Sequence, residues 1–367
     1  MLKSILVPVD GSPLSERALP FAQGLARQTG ARLLVMRAVL LAKPSVPEAE
    51  HFNEAAVGEA EAELAEITAR ATEAGAAVES FVWDDEAGWA IVGACDAERA
   101  DLIVMSTHGR TGLGRVMYGS VADHVLRTAR IPVLLVPPAA RYRFDPPFKL
   151  LIPLDGSPLA EEAMAPALDF AEALHGEVIL VRALEPPTHW VVGYPYPYGI
   201  DDPPAELEAA RGYLDTVGDR HRRAGVDISG FAMAGPAPEV ITEAARDHRV
   251  GAIAMATHGR GGVARLLLGS VAQQVLRATP VPLLLVRPGA ARQHVHVARR
   301  MVAGSEASEV AVLMSPEEIE LNRLGLERLL ATADEATAER VRALHDRLDE
   351  ALQGRLAPAG LGAGESR

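Results

Sequence analysis

The chain is predicted to fold as two tandem α/β domains, each a doubly wound parallel sheet, with a small helical appendage at its C-terminal end. Three observations carry this expectation. One segment occurs twice: Ser106-Thr-His-Gly-Arg-Thr-Gly-Leu-Gly-Arg-Val-Met-Tyr-Gly-Ser120 returns as Ala256-Thr-His-Gly-Arg-Gly-Gly-Val-Ala-Arg-Leu-Leu-Leu-Gly-Ser270, and Ile5-Leu-Val-Pro-Val-Asp-Gly-Ser-Pro-Leu14 returns as Leu150-Leu-Ile-Pro-Leu-Asp-Gly-Ser-Pro-Leu159. Within each copy, short apolar runs alternate with helical stretches, the pattern of right-handed crossovers and a sheet covered on both faces. Each copy spans roughly 140 residues, enough to bury an ordinary core without staples.

In the first copy, residues 3–9 form a short apolar run of the fully buried kind, ended by Asp10-Gly-Ser-Pro13. Ser12 followed by Pro13 reads as a helix start, because a hydroxyl caps and a proline loses nothing at the first helical position. That helix runs to about residue 29, followed by a strand at 31–40 and a long helix at 53–74 that Gly75 is placed to end. A strand at 77–83, a helix at 88–98 and a strand at 101–105 follow. The glycine loop, a helix at 118–128 and a fifth strand at 131–136 complete the copy, and the second copy repeats the series through Val286. The last strand of each copy begins after prolines, in Arg130-Ile-Pro-Val133 and Thr279-Pro-Val-Pro-Leu283, as an edge strand does. Two bare apolar edges invite pairing, so the copies are expected to join edge to edge as a pseudo-dimer within the chain. The expected domains are residues 1–138 and 148–288, with residues 137–148 linking them.

Two regions have no repeat partner. Asp10 matches Asp155, 145 positions on, whereas Gly109 matches Gly259, 150 positions on, so the second copy carries five extra residues. The natural place for them is the loop at 186–204, which holds Trp190, Tyr194, Tyr196 and Tyr198 among several prolines. Beyond Pro288, residues 309–314 read as a short strand and Ser315-Pro-Glu-Glu318 as a capped helix start. Val341, Leu344, Leu348 and Leu352 share one helical face. The appendage therefore covers about 309–353, and residues 356–367 have a disordered composition.

The net charge of −13 argues against a nucleic-acid backbone as partner. No apolar run approaches the roughly 20 residues that span a bilayer. The single cysteine, Cys95, sits on an apolar helical face, reads as a buried small hydrophobe, and fits a reducing compartment such as the cytoplasm. His294 and His296 alternate on a possible strand without a third ligand, so no metal site is assigned.

In parallel sheets ligands sit beyond the carboxyl ends of the strands, and both the Asp-Gly-Ser element and the glycine loop follow strands directly. The loop is not a Walker A motif. Gly109 and Gly114 have the spacing, but Arg115 and Val116 replace the lysine and hydroxyl, and the second copy has Ala264. It is not a dinucleotide fingerprint either, since Met117 stands where the third glycine belongs. What remains is Gly109, nine residues, then Gly119-Ser120 at the mouth of a helix, with Gly259, Gly269 and Ser270 repeating it. Such a helix mouth offers amide hydrogens to phosphate oxygens, and Arg110, with its counterpart Arg260, adds positive charge. The plainer reading is that the glycines only make a tight turn.

On these residues the chain resembles the universal stress protein family in its tandem form, over about residues 1–288. The family signature is Gly-x-x-Gly-x9-Gly-Ser/Thr; here the opening glycine is Ser106 in one copy and Ala256 in the other. The resemblance implies an adenine nucleotide alpha hydrolase-like fold and ATP, with magnesium, as ligand. It implies that Pro8, Val9 and Asp10 line the first site, with backbone near Val39 meeting the adenine edge and Val121 donating a further amide. The matching second-site positions are Pro153, Leu154, Asp155, Leu184 and Val271. His108 and His258 lie inside the loop, and the family does not use that histidine as a catalytic base.

Three functions stay open on the sequence alone: a nucleotide-binding regulator, a hydrolase or nucleotidyl transferase, and an interaction scaffold with vestigial sites. The first is preferred. A Ser12-His108-Asp10 relay is imaginable, but Ser12 is better explained as a helix cap and no Gly-x-Ser-x-Gly elbow occurs. No catalytic residue is assigned, and any turnover is expected to be slow. A homodimer through edge strands or the C-terminal helices is a further expectation.

Overall fold

Apolar runs of four to eight residues, too short for helices, become the strands of a single sheet in the computed structural model of the chain. It describes residues 2–42, 49–73, 75–107, 119–141, 147–184, 205–257 and 268–287, and the backbone of 295–301 and 308–313. The first copy runs β1 (Ser4–Val9), a 3-10 turn (Ser15–Ala18), α1 (Leu19–Thr29), β2 (Arg32–Val39), α2 (Ala49–Glu73), β3 (Val78–Asp84), α3 (Ala87–Ala97), β4 (Leu102–Ser106), α4 (Ser120–Thr128) and β5 (Val133–Val136). The second runs β6 (Lys149–Pro153), α5 (Pro158–Glu161), α6 (Met164–Ala173), β7 (Glu177–Leu184), α7 (Ala205–Arg220), β8 (Asp227–Ala234), α8 (Ala237–Asp247), β9 (Ala252–Ala256), α9 (Ser270–Ala278) and β10 (Leu283–Val286). A hairpin of β11 (Val295–Met301) and β12 (Ser308–Leu313) follows.

The twelve strands lie in the order β12-β11-β3-β2-β1-β4-β5-β10-β9-β6-β7-β8. Pairing inside each copy is parallel. The two copies meet at the antiparallel β5–β10 pair, with Leu134 opposite Leu284 and Leu135 opposite Leu283. The edge strands that the prolines mark are thus joined to each other, as expected, and neither apolar edge is left bare. One core packs α1, α2, α6 and α7 on one face through residues such as Val35, Leu64, Leu168 and Leu214. The other packs α3, α4, α8 and α9 through Leu34, Ile91, Ile253 and Val275. Each core runs continuously across both copies. Cys95 is buried in the second of them, as its apolar setting suggests, and burial pushes its thiol pKa up, keeping it protonated.

One expectation needs correction. The helix expected directly after Ser12 starts instead as a 3-10 turn, and α1 begins only at Leu19. Pro20 has no N–H to give the carbonyl of Glu16, so a continuous helical ladder breaks there. Ser12 still caps: its hydroxyl oxygen accepts from the Ser15 amide at 3.2 Å. In the second copy Ser157 caps the one-turn α5, accepting from Ala160 N at 3.2 Å, and the chain restarts as α6 at Met164.

The C-terminal segment adds a sheet pairing to the expected architecture. Its described part is the β-hairpin, with β12 at the expected strand position; the helices expected beyond it lie outside the described residues, as does the aromatic loop. The β11 strand runs antiparallel along β3, placing Met301, Arg300 and Arg299 opposite Val82, Trp83 and Asp84. Both hairpin strands also pack against α3. This contact accounts for an oddity of α3, Ala-Gly-Trp-Ala-Ile-Val-Gly-Ala-Cys-Asp-Ala, which is apolar nearly all round. A helix buried on two sides needs no polar face. The matching helix α8 has no strand laid over it among the described residues. It bears exposed Glu239, Glu243 and Arg246 where α3 has Trp89, Gly93 and Asp96.

This difference is testable by charge insertion. Val92→Glu should cost about 2–4 kcal/mol, because Val92 is buried. Thr242→Glu, at the matching half-buried site of α8, should change stability by no more than about 0.5 kcal/mol. Urea unfolding of the two variants, compared with the parent chain, measures both.

Candidate functional site

Because β1 and β4 are hydrogen-bonded neighbours, the coils leaving their carboxyl ends emerge side by side. The first is the Asp10-Gly-Ser turn. Asp10 Oδ1 accepts from the Ser12 amide at 3.0 Å and from the Ser12 hydroxyl at 2.6 Å. The Ser15 hydroxyl accepts from Asp10 N at 3.2 Å and donates to the Ser12 carbonyl at 2.9 Å. Gly11 carries φ +76°, a left-handed conformation that L side chains rarely adopt, and a Cβ there would collide with Arg37 and Glu63. The glycine therefore answers to both backbone and space. The Ser12 proton goes to Asp10, which removes the serine from any relay through His108, a residue outside the described ones.

The second coil leaves β4 at Ser106 and Thr107 and re-enters regular structure at Gly119. Its amide donates to the Thr107 carbonyl at 2.9 Å, and its carbonyl accepts from Asp123 N at 3.0 Å. Gly119 is the N-cap of the nine-residue α4 and supplies no side-chain cap. The first amides of α4 at Ser120, Val121 and Ala122 thus meet no capping side chain, and they sit at the positive end of the helix dipole.

Between the two coils lies a cleft of about 300 Å³, at the small end of the usual size for small-molecule sites. Val9, Met36, Ala38, Ile91 and Met105 give it apolar walls. Asp10, Ser15, Ser106, Thr107 and Ser120 make its polar rim. Of the sequence-predicted residues it gathers Pro8, Val9, Asp10, Ser106, Gly119, Ser120 and Val121. Gly109 and Arg110 lie outside the described residues. The Val39 side chain packs against the core on the opposite face, which leaves the expectation for the backbone there untouched. Alternation along β2 turns Met36 and Ala38 toward the cleft and Val39 away, a period-2 signal readable in principle from the sequence. Ala87 and Ile91, one helical turn apart on α3, gave no comparable signal, because that helix is apolar on every side.

The second copy repeats the frame. Pro153 stands opposite Val181 as Pro8 stands opposite Met36. Asp155 Oδ1 accepts from Ser157 N at 2.8 Å. Gly269 caps α9 without a side-chain bond and donates its amide to the Thr257 carbonyl at 2.9 Å. Leu154, Ala256, Ser270 and Val271 take the places of Val9, Ser106, Ser120 and Val121, and Leu184 that of Val39. Gly259 and Arg260 lie outside the described residues. The offset is still 145 at Leu184 and has become 150 at Ala210, a buried α7 residue matching Ala60 of α2, so the five extra residues fall between those two positions.

The sequence matches the universal stress protein family over residues 1–137 and again over 148–287. The chain belongs to that family, with two copies of its domain in tandem. It is 31% identical over 194 residues to a universal stress protein of Mycobacterium tuberculosis, a match covering 52% of this chain and 63% of that protein. The chain thus spans less than two thirds of the length of these mycobacterial relatives. It is 36% identical over 141 residues to a universal stress protein of Thermus aquaticus, covering 37% of this chain and 99% of that one. A crystal structure of a universal stress protein from Archaeoglobus fulgidus aligns over 78% of this chain and 98% of its own, at 21% identity and a TM-score of 0.56, a likeness of fold.

The turn under the rim yields a paired prediction. Gly11→Ala should cost about 2–3 kcal/mol, from left-handed backbone plus collision with the Arg37–Glu63 pair. Gly30→Ala, at φ +71° with no atom of the described residues within 4 Å of the added Cβ, should cost only about 1 kcal/mol. Equilibrium unfolding separates the two.

Proposed function

We propose that the chain is a nucleotide-binding regulatory protein of the stress response, taking ATP with its magnesium at two similar rims. The observation that carries this reading is the juxtaposition in one cleft of an apolar slot and a helix N-terminus that has no side-chain cap. The slot suits a purine ring. The α4 amides suit phosphate oxygens, and the Asp10 turn stands where a ribose or a phosphate-bound metal would lie. ATP fits this donor set because each of its parts meets a surface of matching chemistry; magnesium supplies charge neutralisation of the phosphates when bound.

Binding rather than turnover is the role this set supports. The Ser12 hydroxyl is committed to Asp10 and to the cap, so it is poorly placed as a nucleophile. Self-association belongs to the same reading, since β8 ends the sheet with no further strand beside it among the described residues. So does a reducing, cytoplasmic setting, given the buried Cys95 thiol.

The test uses the cap position. Gly119 and Gly269 have backbone angles open to any residue, and among the described residues an added Cβ meets nothing nearer than 3.8 Å. The double variant Gly119→Asp with Gly269→Asp should place a carboxylate on the amides that phosphate would use. Its folding stability should hold or rise by a few tenths of a kcal/mol, while ATP-Mg affinity should fall at least tenfold. Thermal shift with millimolar ATP-Mg, and chromatography of whatever nucleotide the denatured protein releases, are the readouts. Equal ATP binding by variant and parent, or no binding by the parent, would overturn the reading and leave an interaction scaffold.

A further inference from the structure

We infer that β8, at the end of the sheet, is the surface on which two chains join, pairing β8 with β8 antiparallel about a twofold axis at Phe231. This gives a surface to the self-association proposed above and does not depend on the nucleotide reading. Gly235 N donates to the Leu184 carbonyl of β7 at 2.9 Å. Alternation then turns the N–H and C=O groups of Ile228, Gly230, Ala232 and Ala234 away from β7, toward an edge where no described strand lies. The strand, Asp-Ile-Ser-Gly-Phe-Ala-Met-Ala, has none of the lysines or prolines that guard natural edges, and its one charge stands at its first residue.

Elsewhere in the same sheet, edges of this kind take an antiparallel partner. In the first copy the matching strand β3 is paired with β11 at Val82 and Asp84, the counterparts of Ala232 and Ala234. At the seam the copies join through their own matching strands, with Leu134 opposite its counterpart Leu284. Two chains paired in that way through β8 form an isologous contact, which closes at two. A centre at Phe231 sets Gly230 opposite the partner's Ala232 and Ile228 opposite the partner's Ala234. Asp227 then faces a glycine, clear of any like charge. Phe231 meets itself in the closer, non-hydrogen-bonded kind of pair, where aromatic side chains interact best. Its ring stacks on His248 with centroids 5.1 Å apart and stays partly exposed.

The charges of α7 favour a second chain over any other occupant of this edge. Helix α7 covers β7 and β8, so the twofold brings two α7 helices side by side, antiparallel and about 10 Å apart. One flank of α7 is turned inward. Tyr213, in the place of Glu63, lies with its ring centre 4.8 Å from the Arg182 guanidinium and donates to Glu161 at 2.9 Å, while Arg220 pairs with Glu161 at 2.6 Å. On the other flank Asp215, Gly218 and Asp219 line, with Gly230, a groove of about 610 Å³. Gly218 and Gly230 leave room there, where the first copy has Thr68 and Ser80. Exposed Arg211 stands one turn before exposed Asp215 on that flank. A Cβ on Gly230 would stand 3.2 Å from Leu214 Cβ, so an axis through Phe231 crosses α7 between Arg211 and Asp215. Arg211 of each chain therefore faces the partner's Asp215. Symmetry supplies this match to a second copy of the chain and to no other partner.

Analytical ultracentrifugation of the full chain over a range of concentrations should show a monomer–dimer equilibrium and nothing larger. Arg211→Asp and Asp215→Arg should each weaken the dimer about tenfold. An equal mixture of the two variants, or the double variant, should restore it, because the contacts are reciprocal. Both positions are exposed, so urea stability should match that of the parent chain. Ser229→Lys, which guards an exposed edge position, should also weaken the dimer. Under oxidation Phe231→Cys should link two chains, whereas Ser229→Cys, out of register with its own mate, should not; Cys95 is buried and takes no part. A dimer indifferent to all of these changes would overturn the β8 surface and leave self-association standing. A monomer at every concentration would sink both, and assemblies that grow beyond two would overturn the twofold. The nucleotide reading is measured separately, by ATP-Mg binding to the same variants.

Discussion

The rim exists because the chain changes its direction of travel across the sheet between β1 and β4. From β1 the crossovers through α1 and α2 carry it outward to β3 on one face. The next crossover, α3, must then bring it back past β1 to β4 on the other face. Right-handed crossovers leave no alternative once strand order is set. The coils that leave β1 and β4 consequently diverge, one toward each face, and a crevice opens between them. Everything at the candidate site hangs on that divergence: the Asp10 turn bounds one side, the α4 amides the other, and the apolar ends of β2 and α3 fill in below. A side chain can be exchanged without moving the crevice. A change of strand order cannot.

Much of this was legible in the sequence because duplication doubles the signal. A single Asp-Gly-Ser after an apolar run is weak, whereas the same element at the same place in two copies marks a strand end. The same holds for Gly119-Ser120 and Gly269-Ser270. Local chemistry alone misled at the first helix, where Ser12-Pro13 has the look of a start but Pro20 withholds the amide that would continue it. The pairing of β11 with β3 could not be read from pattern at all, since it joins segments more than 200 residues apart through backbone bonds indifferent to side-chain identity. Its one trace was the missing polar face of α3. Met36, Ala38 and Ile91 were overlooked for a related reason. Apolar residues announce burial, but not which face they are buried on, until the crossovers are placed.

The copies have diverged where their surroundings differ and kept what the fold demands. The seam strands keep buried aliphatic residues throughout, Val-Leu-Leu-Val in β5 and Leu-Leu-Leu-Val in β10. Helix α3, under the hairpin, has lost its polar face; α8, with no hairpin beside it among the described residues, has kept one. At the turns the same logic reaches charge. Glycine persists at 11 and 156 because each stands at φ near +80° against a guanidinium, at +76° and +82° respectively. The partner of that guanidinium, being outside the backbone constraint, was free to change from carboxylate to phenol.

These differences sit on one mechanical body rather than two. Leu134 and Leu284 face each other within one core, and Val133, Leu135, Leu283 and Leu285 share the other. Both layers therefore run unbroken through the β5–β10 seam, and neither copy can shed its last strand without opening the core of its neighbour. Six buried aliphatic side chains of that kind, at about 1.5–3 kcal/mol each, outweigh the translational freedom the copies would gain by parting, which the covalent linker has already reduced. β4, the strand that leads toward α4, pairs directly with the seam strand β5. The path from one rim to the other is thus β4, β5, β10 and β9, four adjacent strands with no loop interposed.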